Sequence, residues 1–146
     1  MRRISRRRAE RNQVMAAQAE LRGELGRLRA AVPQLTGSLV VGSDGKVLAE
    51  DFGGGDAPRA GTRAADALTA ARRVAEAAAL GGVREFLIRG ADGWLAACTA
   101  GDSALLMLAT ESSTNIGRLR LEAGWSGARI AALLDGAPER LENTCP

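Results

Sequence analysis

The sequence predicts an α+β domain: a five-stranded antiparallel sheet with flanking helices, in the order helix, strand, strand, helix, strand, strand, strand, helix. Three observations carry this. Leu35 to Asp51 reads as two β-prone runs around Gly42-Ser43-Asp44-Gly45; an Asp-Gly pair suits a tight hairpin because Gly accepts positive φ. Apolar residues recur at three- and four-residue spacing before this hairpin, after it and near the C-terminus, the period of helices with one buried face. Between the last two helical patterns, residues 83–110 hold three strand-like runs separated by turns rich in Gly and Asp.

The first helix is expected over residues 9–32. Val14, Ala17, Leu21, Leu25, Leu28 and Val32 share one stripe, and Glu20 and Glu24 pair with arginines one turn away. Gly23 and Gly26 each weaken it by about 1 kcal/mol relative to Ala. Pro33 ends it, since the residue before a proline avoids the helical region. The seven-residue spacing of Val14, Leu21 and Leu28 also fits a coiled-coil seam, but a helix lying on its own sheet is the simpler account.

The hairpin strands follow at 36–42 and 46–51. Gly53-Gly54-Gly55-Asp56-Ala57-Pro58 reads as a loop. It is not a phosphate cradle, because no Gly-Lys-Ser/Thr follows and the only lysine, Lys46, lies upstream. The second helix is expected from Thr62, as cap, to Leu80, with Gly81-Gly82 ending it. Its apolar side is Leu68, Ala71, Val74, Ala75 and Ala78, and its many alanines allow another element to approach closely. The meander strands are Val83–Arg89, Trp94–Thr99 and Ser103–Thr110. The last is apolar on both faces and so belongs in the middle of the sheet. Ser112, Ser113, Thr114 and Asn115 offer caps for a last helix reaching Leu134, with Ile116, Leu119, Ala123, Ile130, Leu133 and Leu134 as its buried stripe. Gly136-Ala137-Pro138 stops it. The domain is therefore placed at residues 9–136, between a disordered basic arm (1–8) and a disordered tail (137–146).

Composition excludes several functions. The chain of 146 residues is long enough to bury a core without disulfides or metal. The net charge of +3 conceals an asymmetry: residues 1–11 carry six arginines against Glu10, and the remainder is slightly acidic. There is no histidine and no tyrosine, and Cys98 and Cys145 have no metal-site spacing, so neither a metal nor another cofactor is expected. Four aromatic residues offer little for stacking bases or sugars. No stretch suits a membrane span or an export signal, and the two thiols fit a reducing cytoplasm. Asp44, Asp92 and Asp102 sit in turns, where aspartate has a conformational role, and no catalytic constellation emerges. The expectation is a binding module and not an enzyme.

Val32-Pro33, Leu35-Thr36-Gly37-Ser38-Leu39-Val40-Val41, Ser43-Asp44-Gly45, Val47-Leu48-Ala49, Leu87-Ile88-Arg89-Gly90, Asp92-Gly93, Gly101-Asp102 and Asn115-Ile116-Gly117 followed by Leu119-Arg120-Leu121-Glu122-Ala123 form an ordered set. Over about residues 15–134 that set resembles the Roadblock (dynein light chain) family, a Roadblock/profilin-like fold. It looks most like the actinobacterial members, found beside a sensor kinase and a Ras-like GTPase. The basic arm is not part of the family pattern.

The resemblance implies a homodimer, with heterodimers and scaffolds known among relatives. Second helices would pack together and third strands would pair at the sheet edge. The interface would then comprise Leu68, Ala71, Val74, Ala75, Ala78, Arg84, Phe86 and Ile88. A Ras-like small GTPase would dock on the two-helix layer, with Arg72 and Arg73 as contact residues by position and a GTPase-activating role as one form of regulation. A different reading rests on the arm alone: residues 2–11 would bind nucleic acid or an anionic membrane surface.

Overall fold

Leu21, Leu25 and Leu28 near the N-terminus and Leu119, Ala123 and Ile130 near the C-terminus settle on the same face of the sheet. The computed structural model describes the backbone of residues 2–142 and the side chains of 3–12 and 15–135. Its elements are α1 (Arg2–Ala31), β1 (Leu35–Gly42), β2 (Val47–Phe52), α2 (Ala57–Ala77), β3 (Glu85–Arg89), β4 (Gly93–Ala100), β5 (Ala104–Glu111) and α3 (Ile116–Glu142). The strands form one antiparallel sheet in the order β2-β1-β5-β4-β3. The five-stranded fold class and the central place of the last strand are as the sequence predicts, and β3 lies at an edge.

The hairpin turns as its residues require. The Gly45 amide donates to the Gly42 carbonyl (3.0 Å), the Lys46 amide donates to Asp44 Oδ1 (3.0 Å), and Gly45 takes φ 85°. That conformation is open to Gly and costly for residues with a Cβ. The strands alternate between two cores. Val40, Ala49, Ala96, Cys98, Leu106 and Leu108 meet Leu21, Leu25, Leu28 and Val32 of α1 and Leu119, Ala123 and Ile130 of α3. Leu39, Val41, Ala97, Leu105 and Met107 face the other way, toward Ala57 and Ala64 of α2. Leu21 and Leu28 are thus occupied within their own core, which favours the helix-on-sheet account over a coiled-coil seam. The Val14 side chain lies outside the described ones.

The strand ends fall within two residues of the sequence expectation, but four helix ends differ by three or more. Helix α1 begins at Arg2, not residue 9: arginine is a strong helix former, and extending an existing helix costs no new nucleus. Residues 2–8, expected as a disordered arm, are therefore helical. Helix α2 begins five residues before Thr62. Asp56 is its cap, accepting from the Arg59 amide (3.2 Å), and Pro58 occupies the first turn, where its missing donor does no harm. Thr62 instead donates back to the Pro58 carbonyl.

At its other end α2 stops before Gly81. Ala79 takes φ 55°, the Leu80 amide donates to the Ala75 carbonyl (2.9 Å) and the Ala79 amide to that of Glu76 (3.1 Å). This is the left-handed helix-ending motif usually built on glycine, here built on alanine. Finally, α3 is capped by Asn115, whose Oδ1 accepts from the Arg118 amide (3.1 Å). It continues through Pro138 to Glu142, so residues 137–142 are helical where a tail was expected. A proline removes one helix hydrogen bond, but Glu139, Arg140, Leu141 and Glu142 are all strong helix formers. Met1 and residues 143–146, with Cys145 among them, lie outside the described residues.

Helices α1 and α3 are joined by more than apolar contact. Glu24 Oε1 accepts from Arg27 Nη2 (2.8 Å), Ser126 Oγ (2.9 Å) and Arg129 Nε (2.7 Å). Ser126 is fully buried and accepts in turn from Arg27 Nη2 (2.8 Å). Burial of Glu24 works to raise its pKa, but the hydrogen bonds from Arg27, Arg129 and Ser126 outweigh it and hold the carboxyl below its ordinary value. A depressed carboxylate contributes stability that is present above its unfolded pKa and lost as pH falls through the folded one.

Two outcomes follow from these contacts. Ala79→Gly removes a left-handed Cβ and should raise stability by about 1 kcal/mol, measured as a higher urea midpoint at unchanged slope. Glu24→Gln should lower stability by about 1–2 kcal/mol at neutral pH, since the arginine partners are partly solvated. Urea titrations across pH should show that gap closing as acid takes wild-type Glu24 below the ordinary carboxylate value.

Candidate interaction surface

The two faces of the sheet are covered unequally. One carries two helices; the other carries only α2, which packs on β1 and β2. Gly61 permits this close seating: a Cβ there would stand 2.9 Å from Val47 Cγ2 and 3.3 Å from the Gly45 carbonyl. The β3–β4 half of the same face has no helix of its own packed along it. Pairing places Phe86 opposite Ala97 and Ile88 opposite Leu95. Those four side chains thus form an apolar strip on the α2 side. Ala97 is buried, Phe86 and Leu95 are half-buried, and Ile88 is 49% exposed, so the strip opens toward the β3 edge. The outer edge of β3 has no strand beside it, and such an edge presents unpaired backbone donors and acceptors.

The interface residues named from the sequence divide. Leu68, Ala71 and Ala75 turn toward the protein's own sheet. Val74, 66% exposed, lies at the flank of the stripe they form, and Ala78, at the helix end, is exposed too. Phe86 and Ile88 lie in the apolar strip. Arg84 precedes β3; its side chain is exposed, and its carbonyl accepts from the Thr99 amide (2.9 Å). Arg72 and Arg73 are both exposed on α2 but point in different directions. Arg72 borders a cavity of about 80 Å³ with Ser43, Leu68, Thr69, Gly101 and Asp102; Arg73 faces open solvent. Neither enters an ion pair among the described residues.

Some surface features were not singled out from the sequence. Arg120 of α3 is bound to Glu85 of β3, tying the edge strand to the helix layer behind it. Arg89 lies over the Trp94 ring, 5.1 Å from its centroid, a cation–π contact across the β3–β4 pair. Leu121 and Trp125 sit one turn apart on the exposed side of α3; their absence from its buried stripe was the available signal. Cys98 is the one thiol among the described residues, and it lies in the core. Its Sγ donates to the Ala123 carbonyl (3.3 Å), and burial, with the nearby Glu85 charge adding to it, pushes its pKa up to about 11. It is a packing residue in that state. No group of three or more His, Cys, Asp or Glu side chains among the described residues is placed to hold a metal, and no helix of the described residues is long and apolar enough to cross a membrane.

Residues 21–110 match the model of the Roadblock/LC7 domain. The chain belongs to that family. Among proteins it resembles are two uncharacterized proteins of Methanocaldococcus jannaschii. One, MJ1340, is 33% identical over 100 residues, covering 68% of this chain and 87% of the relative. The other, MJ0714, is 34% identical over 98 residues, covering 66% and 82%. Among solved structures, an MglB described as having a tetrameric arrangement superposes with a TM-score of 0.78 at 19% identity, covering 84% of this chain and 93% of that one. Myxococcus xanthus MglB gives 0.76 at 14% identity, covering 82% and 91%. A Roadblock/LC7 domain from Streptomyces avermitilis gives 0.70 at 20% identity, covering 75% and 92%. These structures share the fold.

Thiol chemistry offers a direct check on the sealed core. At pH 8 Cys98 should react with a thiol reagent at least about a hundredfold more slowly in the folded protein than in urea, because so little thiolate forms. Peptide mapping after timed alkylation reads this at Cys98 alone.

Proposed function

We propose that this chain acts as a homodimer that regulates or scaffolds a Ras-like small GTPase. The carrying observation is the half-covered sheet: Phe86 and Ile88 of the edge strand β3, with Leu95 of β4 beside them, form a partly exposed apolar strip, and Val74 of α2 and Ala78 at its end stand exposed. A second copy would continue the sheet through β3 and lay its own α2 beside the first, burying both. Leu68, Ala71 and Ala75 support that arrangement from beneath, and Arg84 would flank it. The GTPase partner is what the family resemblance implies, and the paired α2 helices would present Arg72 and Arg73 to it.

The chemistry expected of such a module is indirect. The sequence has no phosphate-cradling Gly-Lys-Ser/Thr loop, so the nucleotide would stay on the partner. An arginine supplied from α2 would stabilise charge on the transferring phosphoryl group. Reorientation of the GTPase's own residues would serve the same end without an arginine. A scaffold would bind without changing hydrolysis.

Light scattering coupled to size exclusion tests the reading, on the chain alone and with a Ras-like GTPase of the same genome loaded with GTP analogue or GDP. A dimer is expected, with nucleotide-dependent capture of the GTPase. Val74→Asp with Ile88→Asp should yield a folded monomer with affinity for a second copy reduced at least about tenfold. Arg72→Ala with Arg73→Ala should keep the dimer and weaken GTPase binding. A wild-type monomer, or no GTPase bound in either nucleotide state, overturns the proposal.

A further inference from the structure

Helix α1 is thirty residues long, but only its C-terminal part belongs to the core. From Arg3 to Glu20 no described side chain is buried, and Leu21 is the first that is. The exposed part includes Arg3, Arg6, Arg7, Arg8 and Arg11, with Glu10 as its only acid before Glu20. None of these five arginines takes part in an ion pair among the described residues. Further along α1, Glu24 pairs with Arg27 and with Arg129 of α3, Arg27 with Glu122 of α3, and Arg29 with Asp51 of β2.

This placement runs against the helix's own electrostatics. No acid sits in the first turn of α1, although the N-terminal end of a helix favours negative charge. Five guanidiniums within nine residues repel one another, and Arg3, in the first turn, also meets the positive helix end. An anionic partner removes that repulsion, and the α1–α3 contacts hold the helix in place before such a partner arrives.

The distribution of residues around the helix distinguishes between polyanions. At 3.6 residues per turn, Arg6, Arg3, Arg7, Arg11 and Arg8 sweep over more than half the circumference. The sector they leave free holds Ser5, Ala9, Asn12 and Ala16, none of them a large apolar residue. A helix lying in a membrane interface needs a continuous apolar face to bury, and this segment has none. A helix about 10–12 Å across with arginines on most sides suits the major groove of B-form DNA, about 12 Å wide and flanked by phosphates, and not the deep, narrow major groove of an RNA duplex.

We propose that the N-terminal part of α1 binds double-stranded DNA through its phosphates, without sequence preference, independently of the β3–α2 surface. Contacts of this kind position a protein on the duplex and read no bases.

The test uses the full chain and a labelled duplex of arbitrary sequence, about 20 base pairs long, with affinity followed by anisotropy across salt. Five phosphate contacts per chain predict a log–log slope of about −4.5, a loss of about 500-fold between about 50 and about 200 mM salt. Substituting Arg6, Arg7 and Arg8 together by Gln leaves two contacts, so the slope should fall to about −2 and the same salt step should cost only about tenfold. Circular dichroism should be unchanged, since these side chains touch no core residue. Vesicles of neutral and anionic phospholipid form the competing arm. Absence of duplex binding at low salt, tighter binding to the vesicles than to the duplex at equal salt, or a triple variant with the wild-type slope each overturns the proposal. GTPase capture by the triple variant should stay at the wild-type level, which separates this outcome from any failure of the dimer reading.

Discussion

The pairing of β1 with β5 is the constraint on which the rest of the structure depends. The hairpin and the meander each form from neighbours in the chain; β1 and β5 come from distant segments and must be brought together against loop-closure entropy. What holds them is burial: Leu39, Val40, Val41, Leu105, Leu106, Met107 and Leu108 are all in the core along this seam. Once β5 is central, β2 and β3 fall at opposite edges, and the chain has to cross the sheet between them. Five strands span about 19 Å at their usual spacing, while one helix covers about 10 Å. One crossing helix therefore cannot close a face that needs two, and the uncovered apolar strip follows from the topology.

The opposite face shows the contrast. There α1 and α3 lie side by side, and the Glu24 carboxylate gathers Arg27, Ser126 and Arg129 into one polar clamp. Because this clamp and the leucines beneath it hold the second part of α1, the first part continues outward as an exposed helix. Rigid docking and exposed charge thus belong to one element. The open strip and the basic helix are physically different surfaces: apolar contact depends on shape and desolvation, whereas the field of the arginines is screened by salt.

Much of the fold was legible because its signals are local. Asp44-Gly45 fixes a turn through backbone conformation, Pro33 stops a helix, and the doubly apolar run from Ala104 to Ala109 can only be central. The boundaries were less legible where two local signals compete. The three glycines before Asp56 read as loop and masked its role as a cap, which leaves Thr62 as the nearest apparent cap. Gly81-Gly82 attracted the helix end, yet the chain reverses at Ala79. On α2, alanine at so many positions makes the helical wheel nearly featureless. Leu68, Ala71, Val74, Ala75 and Ala78 therefore read as one stripe, though only Leu68, Ala71 and Ala75 are shielded, and Val74 and Ala78 stand exposed.

By itself the sequence determined the order of elements, the hairpin that opens the sheet, the central strand, the family pattern and the concentration of arginine at one end. These rest on periodicity, turn chemistry and composition, which act over a few residues. Only the tertiary structure decided which face each helix covers, that Glu24 meets Ser126 and Arg129 a hundred residues later, and that half of one sheet face stays open. Those outcomes depend on which distant surfaces bury one another, and the contest between alternative partners is settled by packing across the whole domain.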